Sequence, residues 1–150
     1  ILRTLSKGYS LAGLRLGYGI GPEALIKPML EKTRDSYNLD WLSQEIACAA
    51  LQHRDHARLS WDKVRQERTR VSTSLRKLGF EVIDSSANFI LVTIGAGGAK
   101  TLYESLKQQN MLVRYFDHPG LQDKLRISVG TGTENDRSLA LMAELAATDA

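Results

Sequence analysis

Apolar positions change their spacing along this chain, and the changes mark where one kind of element gives way to another. Ile1-Leu2-Arg3-Thr4-Leu5 reads as the end of a short strand, and Ser6–Ser10 as a polar loop. Between Leu11 and Ile20 the apolar run is punctuated by Gly13, Gly17 and Gly19, with Gly21 just beyond. Glycine at that density predicts a strand that backbone or a ligand approaches closely, not a helix. Pro22-Glu23 opens a helix expected to run to about Lys32. After a break over 33–38, Asp40 is the expected N-cap of a helix over Trp41–Gln52, with Leu42, Ile46, Ala49 and Ala50 on one face. A long helix from about Arg58 to Leu78 carries a narrow stripe of Val64, Val71, Leu75 and Leu78, and Gly79 is its stop.

Beyond Gly79 the periods alternate. Phe80–Ile83 and Asn88–Thr93 read as strands, Gly95–Gly98 as a turn, and Leu102, Tyr103 and Leu106 as the face of a helix. Met111–Arg114 and Lys124–Val129 read as two more strands. Leu139, Met142, Ala143 and Ala146 mark a closing helix, capped by Thr133 with Asp136 three residues on. Strand, strand, helix, strand, strand, helix makes residues 79–150 an α/β or α+β module.

Composition changes this picture little. With 150 residues, 43% hydrophobic and 25% charged, the chain matches an ordinary globular domain, which excludes disordered and low-complexity classes. No run approaches the length of about 18 apolar residues that a membrane span needs. The lone cysteine, Cys48, cannot form an internal disulfide, so a reducing compartment, the cytoplasm, is expected. It lies among alanines and reads as a small buried hydrophobe. The chain opens on Ile1 without a methionine or leader, and is expected to be the later part of a longer polypeptide.

Charge is uneven: residues 1–78 hold fourteen Lys/Arg against eight Asp/Glu, and residues 79–150 six against nine. The excess lies in Arg54, Arg58, Lys63, Arg65, Arg68, Arg70, Arg76 and Lys77, mixed with Asp55, Asp62 and Glu67. Signs alternate along a helix, which reads as a solvated face and not as a nucleic-acid patch. His53 and His56 lack a second ligand pair at metal spacing, so no metal site is expected. His118 reads as an exposed turn residue.

The candidate chemistry starts at Arg3–Gly17. Lys7 stands between hydroxyls at Thr4, Ser6 and Ser10, eight residues before Arg15. A lysine amine condenses with a carbonyl, and hydroxyls with a guanidinium bind phosphate. Pyridoxal phosphate is the cofactor that needs both. On spacing alone, Lys7 is equally a solvated loop lysine and Arg15 a surface charge. A second candidate is Arg126 in Lys124-Leu125-Arg126-Ile127-Ser128-Val129. An arginine inside an apolar strand is costly to bury without an anionic partner, and a carboxylate or phosphate held bidentately is a natural one.

The string Arg3-Thr4-Leu5-Ser6-Lys7-Gly8-Tyr9-Ser10-Leu11-Ala12-Gly13-Leu14-Arg15-Leu16-Gly17-Tyr18 resembles the lysine signature of fold-type-I aminotransferases, most closely the histidinol-phosphate aminotransferase branch. Tyr37-Asn38 with Ser43-Gln44 and Ala47–Leu51 resembles a second segment of that branch, departing from it at Ser36, where the family often has proline. Ser86-Ala87-Asn88-Phe89, Leu112–Phe116 and Leu125–Thr131 resemble three more.

The resemblance implies an α/β, fold-type-I transferase, of which this chain is the C-terminal portion. Residues 1–34 would be the tail of the large cofactor domain, 35–78 connecting helices, and 79–150 the small domain. It implies that Lys7 is the catalytic lysine carrying pyridoxal 5'-phosphate, and that Thr4, Ser6 and Arg15 hold the cofactor's phosphate. Arg126 and Arg114 would bind the substrate's carboxylate or phosphate, although a strand-end arginine such as Arg114 is commonly just exposed. Tyr37 and Asn38 read equally as substrate contacts and as turn residues before a helix, and Asn88 as structural.

The implied reaction moves an amino group between histidinol phosphate and 2-oxoglutarate or glutamate, in histidine biosynthesis, in a homodimer with no nucleic-acid or membrane partner. The chain by itself is expected to be inactive and to hold the cofactor weakly, since the family's ring-binding groups precede the lysine. The rivals are an aromatic or other amino-acid aminotransferase, a threonine-phosphate decarboxylase, or a non-catalytic domain.

Overall fold

In the computed structural model of the chain, residues 1–95 and 98–148 are described, and they divide within one long helix into two units, Ile1–Trp61 and Asp62–Ala150. In the first unit, β1 (Leu2–Thr4) pairs antiparallel with β2 (Gly17–Gly19) in the register Leu2↔Gly19, Arg3↔Tyr18, Thr4↔Gly17. The ribbon is closed at one end by Ile20 N–H to Ile1 O at 2.8 Å and at the other by Leu5 N–H to Leu16 O at 3.2 Å. Gly17 is where the dense glycines matter: a Cβ there would stand 2.7 Å from the Arg3 carbonyl oxygen. Gly13, by contrast, lies in a single 3-10 turn, Ala12–Leu14, and not in a strand.

Helix α1 (Glu23–Pro28) runs into one π turn, Met29–Thr33, closed by Arg34 N–H to Met29 O at 2.9 Å. Pro28 has no N–H to donate and crowds the preceding turn, which favours the wider turn that follows. Helix α2 (Trp41–Gln52) is capped as expected: Asp40 Oδ1 accepts from Ser43 N at 2.8 Å, and Asp40 Oδ2 from the Ser43 hydroxyl at 2.6 Å. Those two bonds, the side-chain one first, hold the Asp40 carboxyl below its ordinary range.

The buried face of α2 differs from the expected stripe. Ser43 and Ala47 are buried, Ile46 and Ala50 half-buried, while Leu42 is 59% exposed and Ala49 is exposed. Asp40 and the Leu14 carbonyl satisfy the Ser43 hydroxyl, so a small polar residue turns inward and rotates the face by about one position. The same rotation leaves Cys48 exposed, correcting the expectation of a buried cysteine.

Helix α3 (Arg54–Lys77) starts earlier than Arg58 and carries the division between units. Its charges pair along the surface at i, i+3: Asp55 with Arg58, Asp62 with Arg65, and Glu67 with Arg70. Of its stripe, Val71 and Leu75 are buried, Val64 is half-buried and Leu78 exposed. Gly79, at φ +90°, ends it with Gly79 N–H to Arg76 O and Phe80 N–H to Leu75 O, the paired bonds of a Schellman stop.

The second unit is a four-stranded sheet with three helices. Strands β3 (Glu81–Ile83), β4 (Phe89–Thr93), β5 (Arg114–Tyr115) and β6 (Lys124–Ser128) lie in the order β3-β4-β6-β5, every pair antiparallel. Strands β4 and β5 are therefore parallel to each other, joined through α4 (Gly98–Gln108) with β6 between them. Ala96 and Gly97, in the expected turn 95–98, lie outside the described residues. The expected strand Met111–Arg114 begins only at Arg114 because α4 is still closing there: Asn110 takes φ +56° and Met111 N–H bonds Leu106 O at 2.9 Å.

One face of the sheet is the core. Val82, Ile90, Val92, Leu125 and Ile127 pack with Val71 and Leu75 of α3, Ala99, Leu102 and Leu106 of α4, and Met142 of α5 (Gly132–Thr148). The closing helix starts earlier than expected. Thr131, not Thr133, is its cap, in a capping box with Glu134: Thr131 N–H bonds Glu134 Oε2 at 2.8 Å, and Glu134 N–H reaches Thr131 Oγ1 at 3.4 Å. Asp136 instead pairs with Arg70 at 2.7 Å.

Thr131→Ala is expected to lower the unfolding free energy by about 1 kcal/mol, and Thr133→Ala by less than about 0.5, in urea titrations. The backbone and hydroxyl of Thr131 hold the Glu134 carboxyl below its ordinary range. Glu134 is thus stabilising above the unfolded carboxylate range and ceases to be as pH falls through its lowered pKa. The gap between wild type and Thr131→Ala should narrow over that acid window.

Candidate active site

The lysine sits on a loop tied at its base. Leu5 N–H bonds Leu16 O, Leu11 N–H bonds Leu5 O at 3.2 Å, and Ser10 N–H bonds Lys7 O at 3.2 Å. Leu5, just before the loop, is buried. Two non-glycine residues on it take left-handed backbone, Ser10 at φ +58° and Arg15 at φ +52°. Such conformations persist where surrounding structure over-determines them, commonly at functional sites.

The hydroxyls of Thr4 and Ser6 are brought together. Thr4 Oγ1 accepts from Ser6 N–H at 3.1 Å and donates to Ser6 Oγ at 2.8 Å or Leu16 O at 3.3 Å. With Thr4 donating to Ser6, the Ser6 hydroxyl proton is left without a partner among the described residues. Lys7 is exposed, and its amine has no hydrogen bond or ion pair among the described residues. Arg15 donates from Nη1 to Ala12 O at 3.0 Å, and its other N–H groups have no partner among the described residues. One loop thus carries a primary amine, a hydroxyl donor and most of a guanidinium, with no acidic side chain among the described residues paired to any of them.

Trp61 reinforces this loop from the first turns of α3. Its indole N–H donates to the carbonyl of Gly8, next to Lys7, and its ring lies edge-on to Tyr9 with centroids 5.4 Å apart. Trp61 lies three positions before Val64, on a continuation of the stripe, which is the signal in the sequence that could have found it.

In the second unit, the register Leu91↔Arg126 and Arg114↔Arg126 sets two arginines directly opposite each other on neighbouring strands. They project from the face opposite the core, because their neighbours Leu125 and Ile127 are buried on the other. Neither arginine has an acidic partner among the described residues, and the Arg126 Nε is buried with no hydrogen bond. Aromatic rings stand in: Phe89 lies 5.1 Å and Phe116 5.6 Å from the Arg126 guanidinium carbon, and Phe116 lies 5.4 Å from that of Arg114. Two guanidiniums on one face, without an acid beside them among the described residues, offer donors of the kind that suit an anion.

Tyr37 is 93% exposed, in a turn where Asp35 Oδ1 accepts its backbone N–H at 3.2 Å, and Asn38 is exposed beside it. Asn88 uses its backbone, its carbonyl accepting Val129 N–H at 2.9 Å to extend the β4–β6 ladder. His118 is exposed.

The family model for aminotransferase class I and II matches residues 1–142. The chain belongs to the class I and II aminotransferases. Within that family it is similar to histidinol-phosphate aminotransferase from Microcystis aeruginosa, 52% identical over 149 residues, covering 99% of this chain and 42% of that protein. The enzyme of the same name from a Synechocystis strain is 48% identical over 97% of this chain and 41% of its own length. The crystal structure of histidinol-phosphate aminotransferase from Sinorhizobium meliloti in complex with pyridoxal-5'-phosphate matches with TM-score 0.85 at 26% identity, over 99% of this chain and 41% of that one. The chain therefore spans about two fifths of the length of the curated relatives it matches.

The fold is that of the fold-type-I pyridoxal-phosphate enzymes, and the residues present fit the aldehyde and phosphate of that cofactor. An unpaired amine suits the aldehyde, and the free donors of Ser6 and Arg15 suit the phosphate.

Gly17→Ala tests whether the base of this loop is as tight as it looks. Its Cβ would press the Arg3 carbonyl, prying β1 from β2, and is expected to cost about 1–3 kcal/mol. Unfolding followed by tryptophan fluorescence would show it, and an unchanged midpoint would refute the close approach.

Proposed function

We propose that the chain carries the lysine and the anion-binding arginines of an aminotransferase that moves an amino group between histidinol phosphate and 2-oxoglutarate or glutamate. The observation that carries this reading is the loop on which an amine without a counter-ion, Lys7, shares a closed turn with phosphate-type donors. Identities of 46–52% to several histidinol-phosphate aminotransferases support the choice of substrate pair.

Thr4, Ser6 and Arg15 hold the phosphate of pyridoxal phosphate in this reading, and Lys7 holds its aldehyde. Bound there, the cofactor supplies a conjugated ring that stabilises negative charge at the substrate carbon. Lys7 Nζ would take the proton from that carbon as a base and deliver it, as an acid, to the cofactor's aldehyde carbon, the relocation that an amino transfer requires. Arg126 binds the anionic end common to amino donor and 2-oxo acid through its planar fork. Arg114 adds a second positive charge suited to a phosphorylated donor. Tyr37 and Asn38 complete the substrate contacts, their side chains exposed before α2.

The same reading makes residues 1–34 the tail of the large cofactor domain, 35–78 connecting helices and 79–150 the small domain, in a cytoplasmic homodimer.

Borohydride reduction in the presence of pyridoxal phosphate, with mass mapping of the eight lysines, tests the assignment of Lys7. The expected product is a pyridoxyl label at Lys7 that Lys7→Ala removes; a label spread evenly over the lysines would overturn it. In the enzyme, Arg114→Ala should raise KM for the phosphorylated donor roughly ten- to a hundredfold while sparing an unphosphorylated one. Equal losses for both would remove Arg114 from the site.

A further inference from the structure

The two arginines of the second unit are not held by the usual means. Cross-strand like charges repel, and surface guanidiniums ordinarily take a carboxylate or a carbonyl. Among the described residues the Arg126 guanidinium has neither, and that of Arg114 meets only the ring of Phe116. Strand geometry explains how one ring reaches both. Phe116 follows Arg114 by two residues, so it returns to the same face just beyond the end of β5. There its ring stands 5.4 Å from the guanidinium carbon of Arg114 and 5.6 Å from that of Arg126. Phe89 reaches the same face from β4, two residues before the Leu91 that faces Arg126, and lies 5.1 Å from Arg126.

We infer that Phe116 is a positioning residue that holds Arg114 and Arg126 together as one receptor for a single anion bearing two negative charges, of the phosphate-monoester class. The inference rests on the proposed reading of these arginines as the substrate's anion site. A π face attracts a guanidinium without consuming its N–H donors or neutralising its charge. Both forks therefore stay open to a ligand while their directions are set. Removing the ring frees Arg114 into solvent, and the ligand must then order that side chain itself. Phe116 also fixes which anions gain from the pair: a dianion engages both guanidiniums, whereas a monocarboxylate is served by Arg126 alone.

The test follows the arginine Nε–H resonances of the isotope-labelled chain during titration with inorganic phosphate and, separately, with acetate. Wild type is expected to shift at Arg126 and Arg114 with phosphate. Phe116→Leu should weaken phosphate binding roughly three- to tenfold, the size of one or two cation–π contacts, and leave acetate nearly unchanged. Phe116→Tyr, which keeps the ring, should restore it. In an Arg114→Ala background the further loss from Phe116→Leu should shrink, since much of its effect passes through Arg114.

The inference is overturned if Phe116→Leu binds phosphate like wild type, if Phe116→Tyr loses as much as Phe116→Leu, or if phosphate and acetate fall together. Arg126→Ala separates the two levels. If it abolishes the phosphate response while Phe116→Leu does not alter it, only the role of Phe116 fails. If Arg126→Ala leaves the response intact, the anion site itself is misassigned and the inference falls with it.

Discussion

Arg126 occupies the middle of the second unit's sheet, between Leu125 and Ile127, both buried, and paired across to Leu91 of β4 and Arg114 of β5. A strand has only two faces, and the alternation is strict. Committing Leu125 and Ile127 to the core therefore commits Arg126 to the other side, with Arg114 beside it. A slip of one residue in this pairing would drive a guanidinium into the space filled by Ile90, Val92, Leu106 and Met142 and expose two aliphatic residues. The hydrophobic core and the arginine-bearing face are thus fixed by one register. Burial of the apolar face enforces the placement of the charged one, without any interaction among the charges having to favour it.

The first unit reaches precision by another route. Few of its residues are buried among those described, chiefly Leu5, Ser43, Ala47 and Ala57, three of them small. Side-chain packing alone is a weak constraint there. Backbone bonds across the base of the loop, the close approach at Gly17, and the hydroxyl pair of Thr4 and Ser6 supply the definition instead. Trp61 adds one large contact, holding the Gly8 carbonyl by its indole N–H. The peptide that carries Lys7 is thereby fixed, while its side chain has no partner among the described residues, an arrangement that suits the amine's proposed role.

Local signals in the sequence located most elements, and long-range bonds account for the departures. Asp40 as a cap and Gly79 as a stop were legible because each acts within four residues of its own position. The juxtaposition of Lys7, Thr4, Ser6 and Arg15 was legible because one contiguous loop contains them. The face of α2 was misjudged because Ser43 is made apolar-compatible by Asp40 and by a carbonyl 29 residues away. The last cap was displaced by two residues because Glu134, not Asp136, closes the box, and Asp136 is drawn to Arg70, 66 residues distant. Strand β5 shrank because Asn110 accepts left-handed backbone and prolongs the closure of α4. Trp61 and Phe116 could not be assigned partners from the chain alone: the indole reaches 53 residues back to Gly8, and the Phe116 ring meets Arg126 only through strand pairing.

Aromatic and acidic neighbours hold an arginine in physically different ways, and the choice bears on what the site can bind. A carboxylate beside Arg126 would fix its fork by occupying it, and an incoming anion would have to displace that partner before gaining anything. Phe89 and Phe116 lie against the guanidinium within about 6 Å, a geometry that attracts the cation while leaving its in-plane donors open. The cost is a buried Nε–H without an acceptor, which burial makes unfavourable until a ligand arrives. In the proposed reading that unsatisfied donor is a reserve of binding free energy for the anion. With Arg114 on the same face and no acid among the described residues to offset it, that reserve would be largest for the ligand that brings the most negative charge. On that reading the face discriminates by charge as well as by shape.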